Sequence, residues 1–203
     1  MSRVIFFVDG FNLYHALDEN ISHHKYKWLD LSSLCRKFVR SRDTIEDIYY
    51  FTALAIWNPD KEQRHKIYIR ALLTRNIRVI YGAFRLRDKR CRLCHKTFKT
   101  YEEKETDINI IAHLFSLAIQ DRYDTAMIIT GDSDLVQGIQ MVQSTFPAKQ
   151  VGIIIPSGRR AEVLKQAADF HMKIKEGHLK NSLFEKEIDL GKNQKLICPK
   201  SWI

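Results

Sequence analysis

The sequence predicts an α/β domain built on a mostly parallel sheet, and three observations carry that prediction. Five short runs rich in β-branched and aromatic residues recur along the chain: Val4–Val8, Ile48–Thr52, Ile77–Tyr81, Ala126–Thr130 and Val151–Ile155. The first, fourth and fifth are nearly all apolar, as expected of strands covered on both faces. Stretches of helical length lie between the runs, and strands alternating with helices give a parallel sheet with crossover connections.

The elements follow in order. A helix is predicted over Leu13–Glu19 behind the first strand. Leu31, Leu34 and Phe38 stand at helical spacing in Leu31–Val39, with Asp30 or Ser32 placed to cap that helix. Asp60–Thr74 joins the second and third strands. Ile110, Leu114 and Leu117 mark a helix over Asp107–Gln120, for which Thr106 or Asp107 is the expected cap. Helices over Asp134–Phe146 and Glu162–Ala168 flank the fifth strand. No repeat, low-complexity tract or linker divides the chain, so residues 1–180 read as one domain. Residues 181–203 read as a polar tail that docks back through its terminal Trp202 and Ile203.

Composition narrows the class. A chain of 203 residues is long enough for a full core, and 45% apolar with 28% charged residues excludes wholesale disorder. No apolar run approaches the roughly 20 residues that cross a bilayer, and Val4–Val8 is too short for a secretory signal. The expectation is a cytoplasmic protein without a membrane partner. Cys35, Cys91, Cys94 and Cys198 form no disulfide framework and are expected as thiols or metal ligands. Against 24 acidic residues stand 33 lysines and arginines, a formal charge of +9 that suits either a polyanionic partner or a solvated basic surface.

The acids fall in a pattern. Asp9 follows the first strand directly, Asp132 and Asp134 follow the fourth, and Asp107 opens the helix after the third. Carboxyl ends of strands are where open α/β sheets bind ligands, at the crevice where strand order reverses. Singly, each aspartate is an ordinary turn or cap residue. Brought together if the first and fourth strands are neighbours, they repel one another, and a hard cation such as Mg²⁺ or Mn²⁺ relieves that repulsion. Such a cation activates water and stabilises a phosphodiester's leaving oxygen. Asn12 stands ready to add an amide oxygen or orient water, and Gly10 and Gly131 allow sharp turns beside the cluster.

Three segments carry a resemblance. Phe7–His15 (FVDGFNLYH), Glu105–Ile110 (ETDINI) and Thr130–Leu135 (TGDSDL) resemble the signature motifs of the NYN domain, the PIN-like group of LabA-type bacterial proteins. The likeness runs in order from residue 3 to about residue 175. It implies a PIN-like three-layer α/β/α fold with a five- or six-stranded sheet. It also implies a metal-dependent endoribonuclease whose acidic site is Asp9, Asp107, Asp132 and Asp134, accompanied by Asn12. The product ends expected of this hydrolysis are a 5′-phosphate and a 3′-hydroxyl. An RNA-binding regulatory module with little turnover is the alternative, and a small-phosphate enzyme on the same fold is a third. Thr-Gly-Asp-Ser-Asp also looks like a haloacid-dehalogenase phosphatase motif, but that chemistry needs an acid two residues after Asp9, where Phe11 stands. Ser133 lacks the Gly-x-Ser-x-Gly elbow of a hydrolase nucleophile.

Phe84–Lys104 is far longer than an ordinary strand–helix loop and holds eight basic against three acidic residues. Arg85, Arg87, Arg90, Arg92, Lys96 and Lys99 alternate with Phe84, Phe98 and Tyr101, cations for phosphate and rings for bases. Cys91 and Cys94, with His95 next to them, give half of a zinc knuckle, whose missing ligands would come from a distant residue or a second subunit. Pro156–Arg160 offers a further phosphate site through Ser157, Gly158, Arg159 and Arg160 ahead of a helix. RNA is the expected partner, and a second copy of the chain is a further candidate, because one PIN-like groove is short.

Overall fold

A computed structural model describes residues 1–191 and 193–203; residue 192, in the predicted tail, lies outside them. Six parallel strands form the central sheet: β1 (Arg3–Asp9), β2 (Thr44–Thr52), β3 (Arg78–Tyr81), β6 (Thr125–Ile129), β7 (Gln150–Ile155) and β8 (Phe170–Lys173). Their order is β3-β2-β1-β6-β7-β8. The chain builds outward from β1 in one direction, then returns to build outward from it in the other. The reversal lies between β1 and β6, which pair in parallel from Val4 with Thr125 to Val8 with Ile129. The first and fourth predicted strands are therefore neighbours.

Helices cover both faces. On one side lie α1 (Gly10–Asp18), α2 (Leu31–Arg36) and α3 (Pro59–Leu73), and on the other α4 (Thr106–Ile119), α5 (Val136–Thr145) and α6 (Glu162–Ala167). β1 is the central strand and feeds both cores by its period of two. Val4, Phe6 and Val8 join the first, with Leu13, Leu34 and Leu72; Ile5 and Phe7 join the second, with Ile110, Leu114 and Ile139. This is the three-layer, PIN-like architecture.

The cap of α2 is Asp30, whose Oδ1 accepts the backbone N–H groups of Ser32 at 2.9 Å and Ser33 at 3.2 Å. Other expectations need correction. The excursion before α4 is no irregular loop but a β-hairpin outside the central sheet, β4 (Ala83–Arg90) paired antiparallel with β5 (Thr97–Lys104). Neither Thr106 nor Asp107 caps α4. The chain swings from the hairpin into the helix through Glu105 in the left-handed region (φ 81°), and the Glu103 carboxylate accepts the Thr106 N–H instead. The helix predicted from Asp134 begins as a tight turn over Ser133–Leu135 before α5 takes over.

Beyond β8 lie α7 (Glu176–Lys180) and a small hairpin of β9 (Glu187–Asp189) with β10 (Lys195–Ile197). Trp202 is buried there beside Trp28 and Tyr68, and the Trp28 Nε1–H donates to the Glu185 carbonyl at 2.8 Å.

Candidate active site

The site forms where β1 and β6 end. Asp9 is the last residue of β1 and is buried, with 4% of its surface exposed. Its Oδ1 accepts the Asn12 backbone N–H at 3.0 Å, capping α1, and its Oδ2 accepts the Thr130 hydroxyl at 2.9 Å. The chain turns at once into α1, and only glycine fits that turn: a Cβ on Gly10 would stand 2.6 Å from the Phe51 carbonyl oxygen. Thr130 also accepts the Asp132 N–H at 3.0 Å, and Asp132 Oδ1 accepts the Asp134 N–H at 3.0 Å. Asn12 closes the arrangement, its side-chain oxygen accepting the Gly131 N–H at 2.8 Å. Asn12 is thus a brace joining the two strand ends, with its amide oxygen already engaged.

Asp107 enters from α4, half-buried. Its pKa is pushed up to about 6 by burial first and then by the charges of Asp9, Asp132, Glu103 and Asp134. Asp9 is likewise raised to about 6, chiefly by burial and then by Asp132 and Glu103, against the hydrogen bonds from Asn12 and Thr130. Five carboxylates from three stretches of chain therefore share one electrostatic field. Among the described residues no three His, Cys, Asp or Glu side chains stand close enough to hold an ion as they are. The donor set is nonetheless all oxygen and anionic, the chemistry of a hard divalent cation. Both oxygens of Asp9 serve as hydrogen-bond acceptors for the fold, leaving their remaining lone pairs for a ligand.

Glu103, Thr106 and Thr130 belong to this site and were not legible as members. Glu103 sits in Tyr-Glu-Glu-Lys-Glu-Thr-Asp, where its charge reads as mere dilution of a basic segment. The signal was its place four residues before Asp107, at the root of the hairpin.

The family model described as the NYN domain matches residues 3–175. The chain belongs to the NYN family. NYN domains are in general nuclease domains acting on nucleic acid, and this one has their nuclease-like fold. A curated relative, 6-hydroxy-3-succinoylpyridine 3-monooxygenase HspA of Pseudomonas putida (strain DSM 28022 / S16), is 25% identical over 76% of this chain and 60% of its own length. This chain thus spans about 60% of that relative. Among solved structures, a protein of unknown function from Vibrio parahaemolyticus RIMD 2210633, VPA0982, has the same fold. It superposes with a TM-score of 0.58 at 17% identity, covering 90% of this chain and 96% of that one.

Around the NYN acidic cluster the predicted cations are spread rather than gathered. All six hairpin cations are exposed. The strand period and register put Arg85 and Arg87 on one face, Arg90 and Lys99 on the other, and Arg92 and Lys96 at the tip. Arg85 pairs with Glu105 at 2.9 Å, and Arg90 Nε donates to the His95 carbonyl at 3.1 Å. Arg87, Arg92, Lys96 and Lys99 make no ion pair among the described residues. Phe84 and Tyr101 meet Trp57, which stacks flat on Tyr101 with ring centres 3.9 Å apart. Phe98 remains half-exposed. Arg159 lies against Gly131 at the mouth of the site and pairs with Glu19 at 2.8 Å. Arg160 is exposed, and the helix behind the two has only six residues and opens on Glu162, which disfavours an anion there.

At the hairpin tip Cys91 and Cys94 are free thiols. The N–H groups of Cys94 and Leu93 point at the Cys91 sulfur and hold its pKa below the usual thiol value. A cavity of about 240 Å³ opens beside Gly10 and Phe11, walled by Tyr14, Tyr50, Trp57 and Phe84, with Lys61 and Arg64 also lining it. His65 lines it too; burial lowers its pKa to about 4, and it shares a 3.1 Å hydrogen bond with Thr52. Nothing in the periodicity of the sequence announced this cavity, because its residues come from several separate segments.

Proposed function

We propose that this NYN protein is a divalent-metal-dependent endoribonuclease that hydrolyses single-stranded RNA at the edge of β1 and β6. The observation that supports it best is the gathering of five carboxylates at one strand edge, where burial first and the neighbouring charges second raise Asp9 and Asp107 to about 6. Such mutual repulsion is costly, and a bound cation offsets it. Asp9, Asp107, Asp132 and Asp134 would hold Mg²⁺ or Mn²⁺, which when bound supplies water activation and charge neutralisation. Asn12 and Thr130 fix the carboxylates in place through the hydrogen bonds already described. The exposed hairpin cations draw the phosphate backbone toward the cluster, and the half-exposed Trp57 and Tyr101 present a stacking surface for a base.

The test is cleavage of single-stranded RNA by pure protein with Mg²⁺ or Mn²⁺, comparing wild type with Asp9→Asn and Asp132→Asn. Products from wild type alone support the reading. Products from both would overturn it, and retention without products would make the protein a regulatory RNA-binding module.

One observation favours a second reading. The aromatic cavity with its basic lining suits a planar aromatic acid, and the name of the Pseudomonas relative denotes chemistry on a pyridine bearing an acidic arm. Titrating a pyridine carboxylic acid against Trp57 fluorescence tests it. Saturable quenching lost in Arg64→Ala would support it, and no quenching would remove it.

A further inference from the structure

The tip of the β4–β5 hairpin is built as a chelating dithiol. The Cys91 N–H donates to the Lys96 carbonyl at 2.8 Å, and the His95 N–H donates to the Cys91 carbonyl at 3.0 Å. His95 takes the left-handed conformation, φ 54°, that lets the chain fold back so tightly. Cys91 and Cys94 stand in this turn three residues apart, both free thiols. Two thiols on one tight turn at Cys-x-x-Cys spacing are half the ligand set of a tetrahedral thiolate site. Cys94 is exposed and Cys91 partly so, and Leu93 is 94% exposed, an apolar side chain held out in water at the end of a charged hairpin.

Zinc in a structural thiolate site takes four ligands. The chain supplies two here, and Cys35 and Cys198 are buried away in the core. No third His, Cys, Asp or Glu joins the pair among the described residues. We propose that two copies of this chain meet tip to tip across a two-fold axis and share one Zn²⁺ between Cys91 and Cys94 of each. Four thiols lose four protons as one Zn²⁺ binds, leaving a tetrathiolate centre of net charge −2 with no oxidation or reduction. Arg90, Arg92 and Lys96 of both copies surround that centre, so charges that would otherwise keep two hairpins apart become its counter-ions. The same contact covers Leu93. A two-fold axis is the commonest way for one surface to complete itself, because each patch then meets its own copy. This inference is independent of the acidic site and of the nuclease reading.

The experiment uses the full chain purified under reducing conditions with Zn²⁺. One zinc per two chains is expected, with a solution mass near twice 23.9 kDa that falls to the single-chain value on chelation. Cobalt in place of zinc should give the intense visible bands of a tetrahedral thiolate site. Cys91→Ser and Cys94→Ser should lose both metal and dimer while keeping the far-UV spectrum of the fold, and Asp132→Asn should keep both. One zinc per monomer would overturn the shared site. So would no zinc uptake, a Cys91–Cys94 disulfide in its place under these conditions, or a dimer that persists without metal in the serine variants.

Discussion

The acidic cleft and the basic hairpin carry opposite charge, and they are held in opposite ways. In the cleft a chain of hydrogen bonds ties the strand ends to the fold: Asp9 caps a helix and accepts from Thr130, Thr130 accepts from Asp132, and Asp132 accepts from Asp134. The hairpin leaves Arg87, Arg92, Lys96 and Lys99 exposed and without ion pairs among the described residues. The contrast teaches a division of labour. Charges that must act at one point are fixed by backbone geometry, and charges that only attract a polyanion need none of that precision.

Four variants would break or sharpen that contrast. The largest effect is expected in the cleft: Asp132→Asn should lower metal-dependent RNA cleavage by about 1,000-fold, the order of several kcal/mol of lost charge stabilisation. Retention of RNA on a filter should survive. Next is stability. Asp9 ionises near 3.8 in the unfolded chain and near 6 in the fold, so the folded state binds more protons between those values. Stability therefore falls as pH rises through that window and stays reduced above it. Asp9→Asn keeps a capping oxygen and removes the buried charge, so unfolding in EDTA should show a gain of about 2–3 kcal/mol near pH 8 and none below about pH 4. Mg²⁺ should stabilise wild type and leave this variant unchanged.

The hairpin should respond differently. Arg87→Ala with Lys99→Ala should weaken RNA binding by roughly tenfold with cleavage per bound RNA unchanged. Each lost phosphate contact should flatten the salt dependence of log K by about 0.7. Smallest of all, Arg85→Ala breaks only the exposed pair with Glu105 and should shift stability by less than about 1 kcal/mol in a denaturant titration.

The same contrast explains what could be read from the sequence. Val4–Val8 and Val151–Ile155 are apolar throughout because both faces are covered, and that pattern survives without coordinates. Asp9 and Asp132 were legible because they follow such strands, and Asp107 because it opens the helix after the third predicted strand. The hairpin was not, because no core lies against most of it: the short alternation Phe84-Arg85-Leu86-Arg87 runs straight into the charged stretch Asp88–Arg90. β8 was missed for a related reason, since Phe170–Lys173 is a short edge strand with only Phe170 and Met172 packed against the core. Thr130 and Glu103 escaped notice because their role is a hydrogen bond or a charge aimed at a residue distant in sequence.

The bond from Thr130 to Asp9 also spans most of a translation event. Its partners are 121 residues apart, and the Asp132 and Asp134 that complete the cluster come later still. Synthesis makes Asp9 and then the whole basic hairpin before it reaches Thr130. The basic hairpin is therefore complete in the growing chain before the acidic cluster is. The acidic cluster therefore cannot assemble until at least 134 of the 203 residues have been made.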